Sequence, residues 1–207
     1  MAYTKHGLIG DAHASTLIAM NQTHSNTVAS IEAMDGSLLA KYSNGDVGSL
    51  DSAEHLNASV IDYSGEVNVV DADACITSEK NVLLSVKTAD CLPILLDADP
   101  YIAVIHAGRE GTIHEITYRV CQRLIEQGVS SVHAWFGPAS CLFCYQIDRD
   151  TNTYFDLVGE NKDQITAAFH SSATIDVSDA CTQCESRLFY SYRSGDPVNR
   201  NVFYLCR

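Results

Sequence analysis

The sequence predicts a mixed fold of strands and helices, α/β or α+β, in one compact domain over residues 1–207. Three observations carry this expectation. Short apolar runs, Val82–Val86, Pro93–Leu96 and Ile102–Ile105, follow one another with turn residues between them. Helical periodicity then takes over, with Ile113, Ile116, Val120 and Leu124 spaced by three, four and four. Finally, 207 residues suffice for one sizeable core, whereas two independent domains would each be small.

Taken in order, the polar stretch Ser43–Ser52 reads as a loop. The three apolar runs read as buried, adjacent strands; Pro93 cannot donate to a ladder, so it marks a strand start, an edge or a bulge. Thr112-Ile-His-Glu115 has the spacing of a capping box, which predicts an amphipathic helix from Thr112 to Gln127 closed by Gly128. Val132–Phe136 and Cys144–Ile147 read as strands on either side of a Gly137-Pro138 turn. A second helix is expected over 153–169, with Tyr154, Leu157, Val158, Ile165 and Phe169 sharing a face, and Val202–Leu205 as a final strand. Mixed sheets flanked by helices follow.

Hydrophobic residues make up 46% and charged residues 19% of the chain, the balance of a folded protein. With 26 acidic against 13 basic residues, the formal charge of −13 repels phosphate backbones and anionic lipid. Nucleic acid and membrane partners are thereby disfavoured, and an anionic small molecule requires a locally positive pocket. Residues 1–11 contain no apolar run of signal-peptide length and no stretch is long enough to span a bilayer, so a cytoplasmic location is expected. There, eight cysteines read as buried thiols, ligands or nucleophiles rather than disulfides.

Three segments join a potential ligand to a strand end: Asn21–His24, Thr88–Cys91 and Ile105–Gly108. Singly, such a histidine is ordinarily a surface or hydrogen-bonded core residue and such a cysteine a small buried hydrophobe. His106–Gly111 connects a strand to the helix start expected at Thr112, where free amides favour an anion and Gly108 and Gly111 permit close approach; a plain strand-to-helix turn is the other reading. Cys141-x-x-Cys144 and Cys181-x-x-Cys184 form a rival constellation, nominally a four-thiolate zinc site. The 36 residues between these pairs exceed the usual ribbon spacing and hold a whole helix, and Cys144 lies in an apolar run where a core thiol is expected, so this is the weaker metal reading. Phe189–Arg193 places Arg193 after aromatics, suited to clamping a phosphate or stacking on a base, or to a structural ion pair; Arg109 and Glu110 also read as a solvated turn.

In order and joint occurrence these segments resemble the YfiH-like family, named multicopper polyphenol oxidoreductase laccase and also described as purine nucleoside phosphorylases or peptidoglycan editing factors. The resemblance is carried by Asn21-Gln-Thr-His24, Asp73–Thr77, Thr88–Pro93, His106–Gly108, Gly137–Ala139 with Cys144-Tyr145, Cys181-Thr182 and Phe189–Arg193. It implies a YfiH-like fold of the cysteine-hydrolase type, with a zinc ion held by His24, Cys91 and His106 and a fourth position open for water or substrate. It further implies phosphorolysis of purine nucleosides and deamination of adenosine. Cys91, His24, His106 and Asp90 are then the catalytic candidates, Asp90 orienting a ligand or acting as a base, and Arg193, Gly108 and Arg109 contact substrate. The implied partners are a purine nucleoside and phosphate, with the chain a monomer or homodimer. An editing hydrolase for a peptidoglycan precursor, a copper polyphenol oxidase and a non-catalytic metal-stabilised binding protein stay open as alternatives. Zinc is preferred over copper because none of the eight histidines forms the His-x-His pairs of a four-copper oxidase. Only 21 residues precede Gln22, where the family has a longer glycine-rich segment; Arg109-Glu110 replaces Trp-Arg, and Ser194 replaces a second arginine. Substrate contacts are expected to differ at those positions.

Overall fold

Two stacked sheets, with helices on the outer side of the larger one, account for the continuous apolar runs. The computed structural model describes residues 6–9, 16–34, 37–43, 46–52 and 66–207. The strands are β1 (His6–Ile9), β2 (Thr16–Met20), β3 (Val28–Met34), β4 (Ser37–Tyr42), β5 (Val47–Ser49), β6 (Asp51–Ser52), β7 (Glu66–Val70), β8 (Ala74–Thr77), β9 (Val82–Thr88), β10 (Leu92–Ala98), β11 (Tyr101–Ala107), β12 (Val132–Phe136), β13 (Gln146–Asp148), β14 (Thr153–Tyr154), β15 (Ala173–Val177) and β16 (Asn201–Cys206). The helices are α1 (Arg109–Ile113), α2 (Ile116–Glu126) and α3 (Leu157–Phe169). One sheet runs β1-β16-β9-β2-β7-β6, the larger one β15-β12-β10-β11-β8-β3-β4-β5, and β13 and β14 form a separate hairpin. Parallel and antiparallel pairs occur in both large sheets.

Strands β10 and β11 are buried on both faces, which is why they read as unbroken apolar runs rather than as alternation. Leu92, Ile94, Leu96 and Ile105 face Ile116, Val120 and Leu124 of α2 and Leu157, Ile165 and Phe169 of α3 in one core. Leu95, Ile102 and Val104 enter a second core with Ile18, Met20, Leu84, Val86 and Phe203 of the smaller sheet. Fully burying such a side chain contributes about 1.5–3 kcal/mol, so each core holds its layer firmly. No helix among the described residues is long and apolar enough to cross a membrane.

Several expectations are corrected. Val82–Val86 lies in β9, in the other sheet, and is not a neighbour of β10; the chain changes sheets across Thr88–Cys91, where Asp90 takes φ 89°. The expected helix from Thr112 is two helices, interrupted where Glu115 adopts φ 61°. No capping box forms, because α3 supplies the missing partners. Asn161 Nδ2 donates to Thr112 Oγ1 (2.9 Å), Gln164 Nε2 donates to Thr112 O (2.9 Å), and Tyr118 N–H donates to Gln164 Oε1 (3.1 Å). The break turns Ile113 outward to 48% exposure. Residues 43–52 carry short strands β5 and β6, with 44–45 outside the described residues. Cys144 lies in a turn before β13, and Thr153-Tyr154 pairs as β14 rather than opening α3.

Candidate functional site

His24 lies in the loop after β2, Cys91 immediately precedes β10, and His106 sits near the end of β11. The antiparallel register pairs Leu92 with Ala107 and Pro93 with His106, which sets Cys91 against Gly108 across the strand ends. The ligand atoms of His24, Cys91 and His106 all lie within 4.8 Å of one another. The two imidazoles meet edge to face, centroids 4.8 Å apart and planes at 80°. Gly108 suits this approach, since a Cβ there would sit 3.2 Å from both Cys91 Sγ and His24 Cδ2, closer than side chains ordinarily pack. At Gly111 a Cβ would lie 2.8 Å from the Ser25 carbonyl oxygen, so α1 can abut the His24 loop only without a side chain.

Asp73, fully buried just before β8, organises both histidines. Its Oδ2 accepts hydrogen bonds from Ser25 N–H (2.7 Å), Ser25 Oγ (2.7 Å), Thr23 N–H (3.2 Å) and Thr23 Oγ1 (3.3 Å). Its Oδ1 accepts from His24 N–H (3.1 Å) and faces His106 Nδ1 at 2.8 Å. Those bonds hold His24 at φ 60°, a conformation that costs a non-glycine residue free energy. Burial raises the Asp73 pKa, but the hydrogen bonds of His106 and Ser25 outweigh it and hold the carboxyl at about 2. A proton on His106 Nδ1 directed at this carboxylate leaves the Nε2 lone pair for a cation. Burial likewise opposes ionisation of Cys91, yet hydrogen bonds from His106 and His24 draw its thiol down to about 6, towards the thiolate that ligates metals. Two imidazoles and one thiolate fit a tetrahedral zinc, whose bonds of about 2.0–2.3 Å would draw the three atoms slightly together.

The trio opens into a cleft of about 650 Å³ lined by Lys87, Thr88, Asp90, Arg109, Tyr145, Arg193 and Arg200, among others. Lys87, Arg109, Arg193 and Arg200 there outnumber Asp90 and Glu110, the latter paired with Arg109 at 3.7 Å; burial and then the nearby Arg200 charge push the Lys87 ammonium below its ordinary pKa. Among the described residues, two buried side-chain polar atoms lack a hydrogen-bond partner, Thr88 Oγ1 and Arg109 Nε, and both residues line this cleft. Asp90 is 3% exposed, and its carboxylate is occupied: it accepts from Thr182 Oγ1 (2.8 Å) and from Arg193 N–H (2.7 Å). It anchors the cleft wall rather than standing free as a base. The Arg193 guanidinium lies 4.2 Å over the Tyr145 ring and donates to Gln146 O at 2.9 Å. The helix after His106 begins at Arg109 rather than at Thr112, whose N–H is bonded to Gly108 O at 2.8 Å.

The four cysteines of the rival constellation also converge. The sulfurs of Cys141, Cys144, Cys181 and Cys184 lie within 4.8 Å of one another, and Cys144 is half-buried in a turn rather than in a core strand. No disulfide forms among the described residues. Sequence reading left Asp73, Ser25, Tyr145 and Thr182 without a role in the site. A buried carboxylate at a strand entrance needs donors, and Thr23–Ser25 supplies them, but no periodicity links segments 48 residues apart.

Fold and site together define a two-sheet α/β protein in which a histidine–cysteine–histidine cluster opens into a cleft lined by four basic and two acidic side chains. A family model described as multi-copper polyphenol oxidoreductase laccase matches residues 6–155, and the chain belongs to that family. It is 34% identical over 137 residues to purine nucleoside phosphorylase RP494 of Rickettsia prowazekii (strain Madrid E), covering 65% of this chain and 44% of that protein. It is 29% identical over 147 residues to adenosine deaminase RL5 of an unknown prokaryotic organism, covering 58% and 56% of the two. The chain thus spans about half the length of these curated relatives. YlmD from Geobacillus stearothermophilus superposes with a TM-score of 0.69 at 23% identity, and YfiH from Bacillus licheniformis with 0.67 at 20%; each covers 94% of this chain and 74% of the other.

Proposed function

We propose that the chain is a cytoplasmic zinc-dependent purine nucleoside phosphorylase that also deaminates adenosine. The observation that carries this reading is the convergence of His24, Cys91 and His106 beside a cleft whose Thr88 and Arg109 keep buried polar atoms without protein partners. The names of relatives supply the substrate class. The ligand set has two imidazoles and one thiolate, leaving a fourth tetrahedral position, as catalytic zinc sites do. A zinc ion held by these three residues would supply a Lewis acid that lowers the pKa of water.

The chain's own groups do the rest. Lys87, Arg109 and Arg200 hold phosphate through charge-assisted hydrogen bonds. Arg193, positioned by Asp90 and Tyr145, closes the same wall. Phosphorolysis breaks the bond between purine N9 and ribose C1′ while a phosphate oxygen bonds to C1′, and the purine leaves with a proton. Deamination adds water at C6 of adenosine and releases ammonia. Both are tested by incubating the zinc-loaded chain with inosine or adenosine, with and without phosphate. Phosphate-dependent release of free base, with ribose 1-phosphate in equal amount, supports the reading. Absence of base in every arm contradicts phosphorolysis, and absence of inosine and ammonia from adenosine contradicts deamination.

A further inference from the structure

Apart from the residues that line the cleft, a second cluster of ligating side chains lies in the segments that follow β12 and β15. Strands β12 and β15 are parallel neighbours with Phe136 beside Val177, so the turns that follow them emerge side by side, and a bridge pairs Ala139 with Cys181. This cancels the 36-residue separation of the two Cys-x-x-Cys pairs. Each pair sits in a tight turn: Cys144 N–H donates to Cys141 O (2.9 Å) and Glu185 N–H donates to Cys181 O (2.9 Å). Peptide N–H groups point at sulfur, from Cys141 (3.3 Å) and Cys184 (3.4 Å) to Cys181 Sγ, as suits a thiolate. Cys144 and Cys184 Sγ stand 3.4 Å apart, against about 2.05 Å for a disulfide bond.

We propose that Cys141, Cys144, Cys181 and Cys184 hold a structural zinc ion in a closed tetrathiolate site. Burial of four thiols as small hydrophobes does not explain the cluster, because Cys184 is exposed and Cys141 and Cys144 are only half-buried. Four thiolates in tetrahedral reach of one another select zinc over oxygen-preferring cations. The segment from Ser178 to Arg200 contains no helix or strand beyond the one bridge. Long segments without secondary structure of their own are uncommon in compact domains, and metal–thiolate bonds would add to the hydrogen bonds that Thr182 and Arg193 give Asp90. The tie bears on the cleft, since Tyr145 follows Cys144 and underlies Arg193, and Thr182 follows Cys181 and donates to Asp90.

The test is zinc content by elemental mass spectrometry of the full chain in a Cys91→Ala background, which disables the other candidate site. One zinc per chain is expected. Adding Cys184→Ser lowers it at least tenfold, and Cys184→His, which keeps a ligand, restores it. Native mass spectrometry of the folded species reads the same adduct if yield falls. No zinc in Cys91→Ala overturns the proposal, as does content unaffected by Cys184→Ser or a Cys144–Cys184 disulfide in protein kept under reductant. Failure of the cleft reading shows differently, as Cys91→Ala retaining all the zinc of the unaltered chain.

Discussion

Replacing Asp73 by asparagine removes the charge around which the His24 loop is folded. The carboxylate accepts from Thr23, His24, Ser25 and His106 with no exposure to solvent. An amide must present its NH2 to one side. Towards Oδ2 it meets the Thr23 and Ser25 N–H donors. Towards Oδ1 it meets His24 N–H and pushes the His106 proton from Nδ1 to Nε2, removing the lone pair a cation needs. The ionised carboxyl, held at about 2 instead of 3.8, favours the fold by about 2 kcal/mol. Leaving a buried donor or acceptor unsatisfied costs about 1–3 kcal/mol, more for a charged group, so we expect Asp73→Asn to lose about 2–3 kcal/mol in urea titrations. Loss of such a supporting carboxylate typically lowers metal affinity about 10–100-fold, to be read by competition with a chromophoric chelator. Stability within about 0.5 kcal/mol of the unaltered chain, together with unchanged zinc affinity, would refute this account of Asp73.

Three further outcomes follow from the same geometry. Because the folded pKa of Asp73 lies below its unfolded value, the stability it contributes is whole above about pH 4 and is lost as pH falls towards about 2; urea midpoints should fall over that window, and less so in Asp73→Asn, whereas equal slopes count against the assignment. Gly108→Ala brings a methyl to 3.2 Å from Cys91 Sγ and His24 Cδ2; spreading the ligands should weaken zinc about tenfold with the fold retained by circular dichroism, and unchanged affinity would contradict the packing argument. Lys87→Met removes a cation held beside Arg200; a charge-assisted hydrogen bond contributes about 1.5–3 kcal/mol, so KM for phosphate should rise at least tenfold with KM for the nucleoside little changed, and an unaltered phosphate KM removes Lys87 from that role.

The parts of the fold that were legible in sequence are those whose burial leaves a periodic or continuous apolar trace. Strands β10 and β11 and the body of α2 and α3 belong here, because one stripe or both faces enter a core. The helix break at Glu115 was not legible, since it depends on Asn161 and Gln164 arriving from α3 to replace local caps. Nor was the assignment of β9 to the other sheet, which turns on the backbone of Asp90 and its bonds to Thr182 and Arg193, 92 and 103 residues away. Spacing misled at the cysteines for a related reason: sequence separation measures distance only until two parallel strands bring their ends together. In the cleft, the motifs around His24, Cys91 and His106 stood out by joint occurrence, while Asp73, which holds them, shows itself only through hydrogen bonds.

The claim on which the proposed chemistry depends is a zinc ion shared by His24, Cys91 and His106. Diffraction from crystals of the unaltered chain, recorded on either side of the zinc absorption edge, tests it directly. The account predicts an anomalous peak within about 2.0–2.3 Å of one nitrogen of each imidazole and of Cys91 Sγ. Ordered His24, Cys91 and His106 side chains with no zinc peak between them, in crystals grown with zinc present, would contradict it.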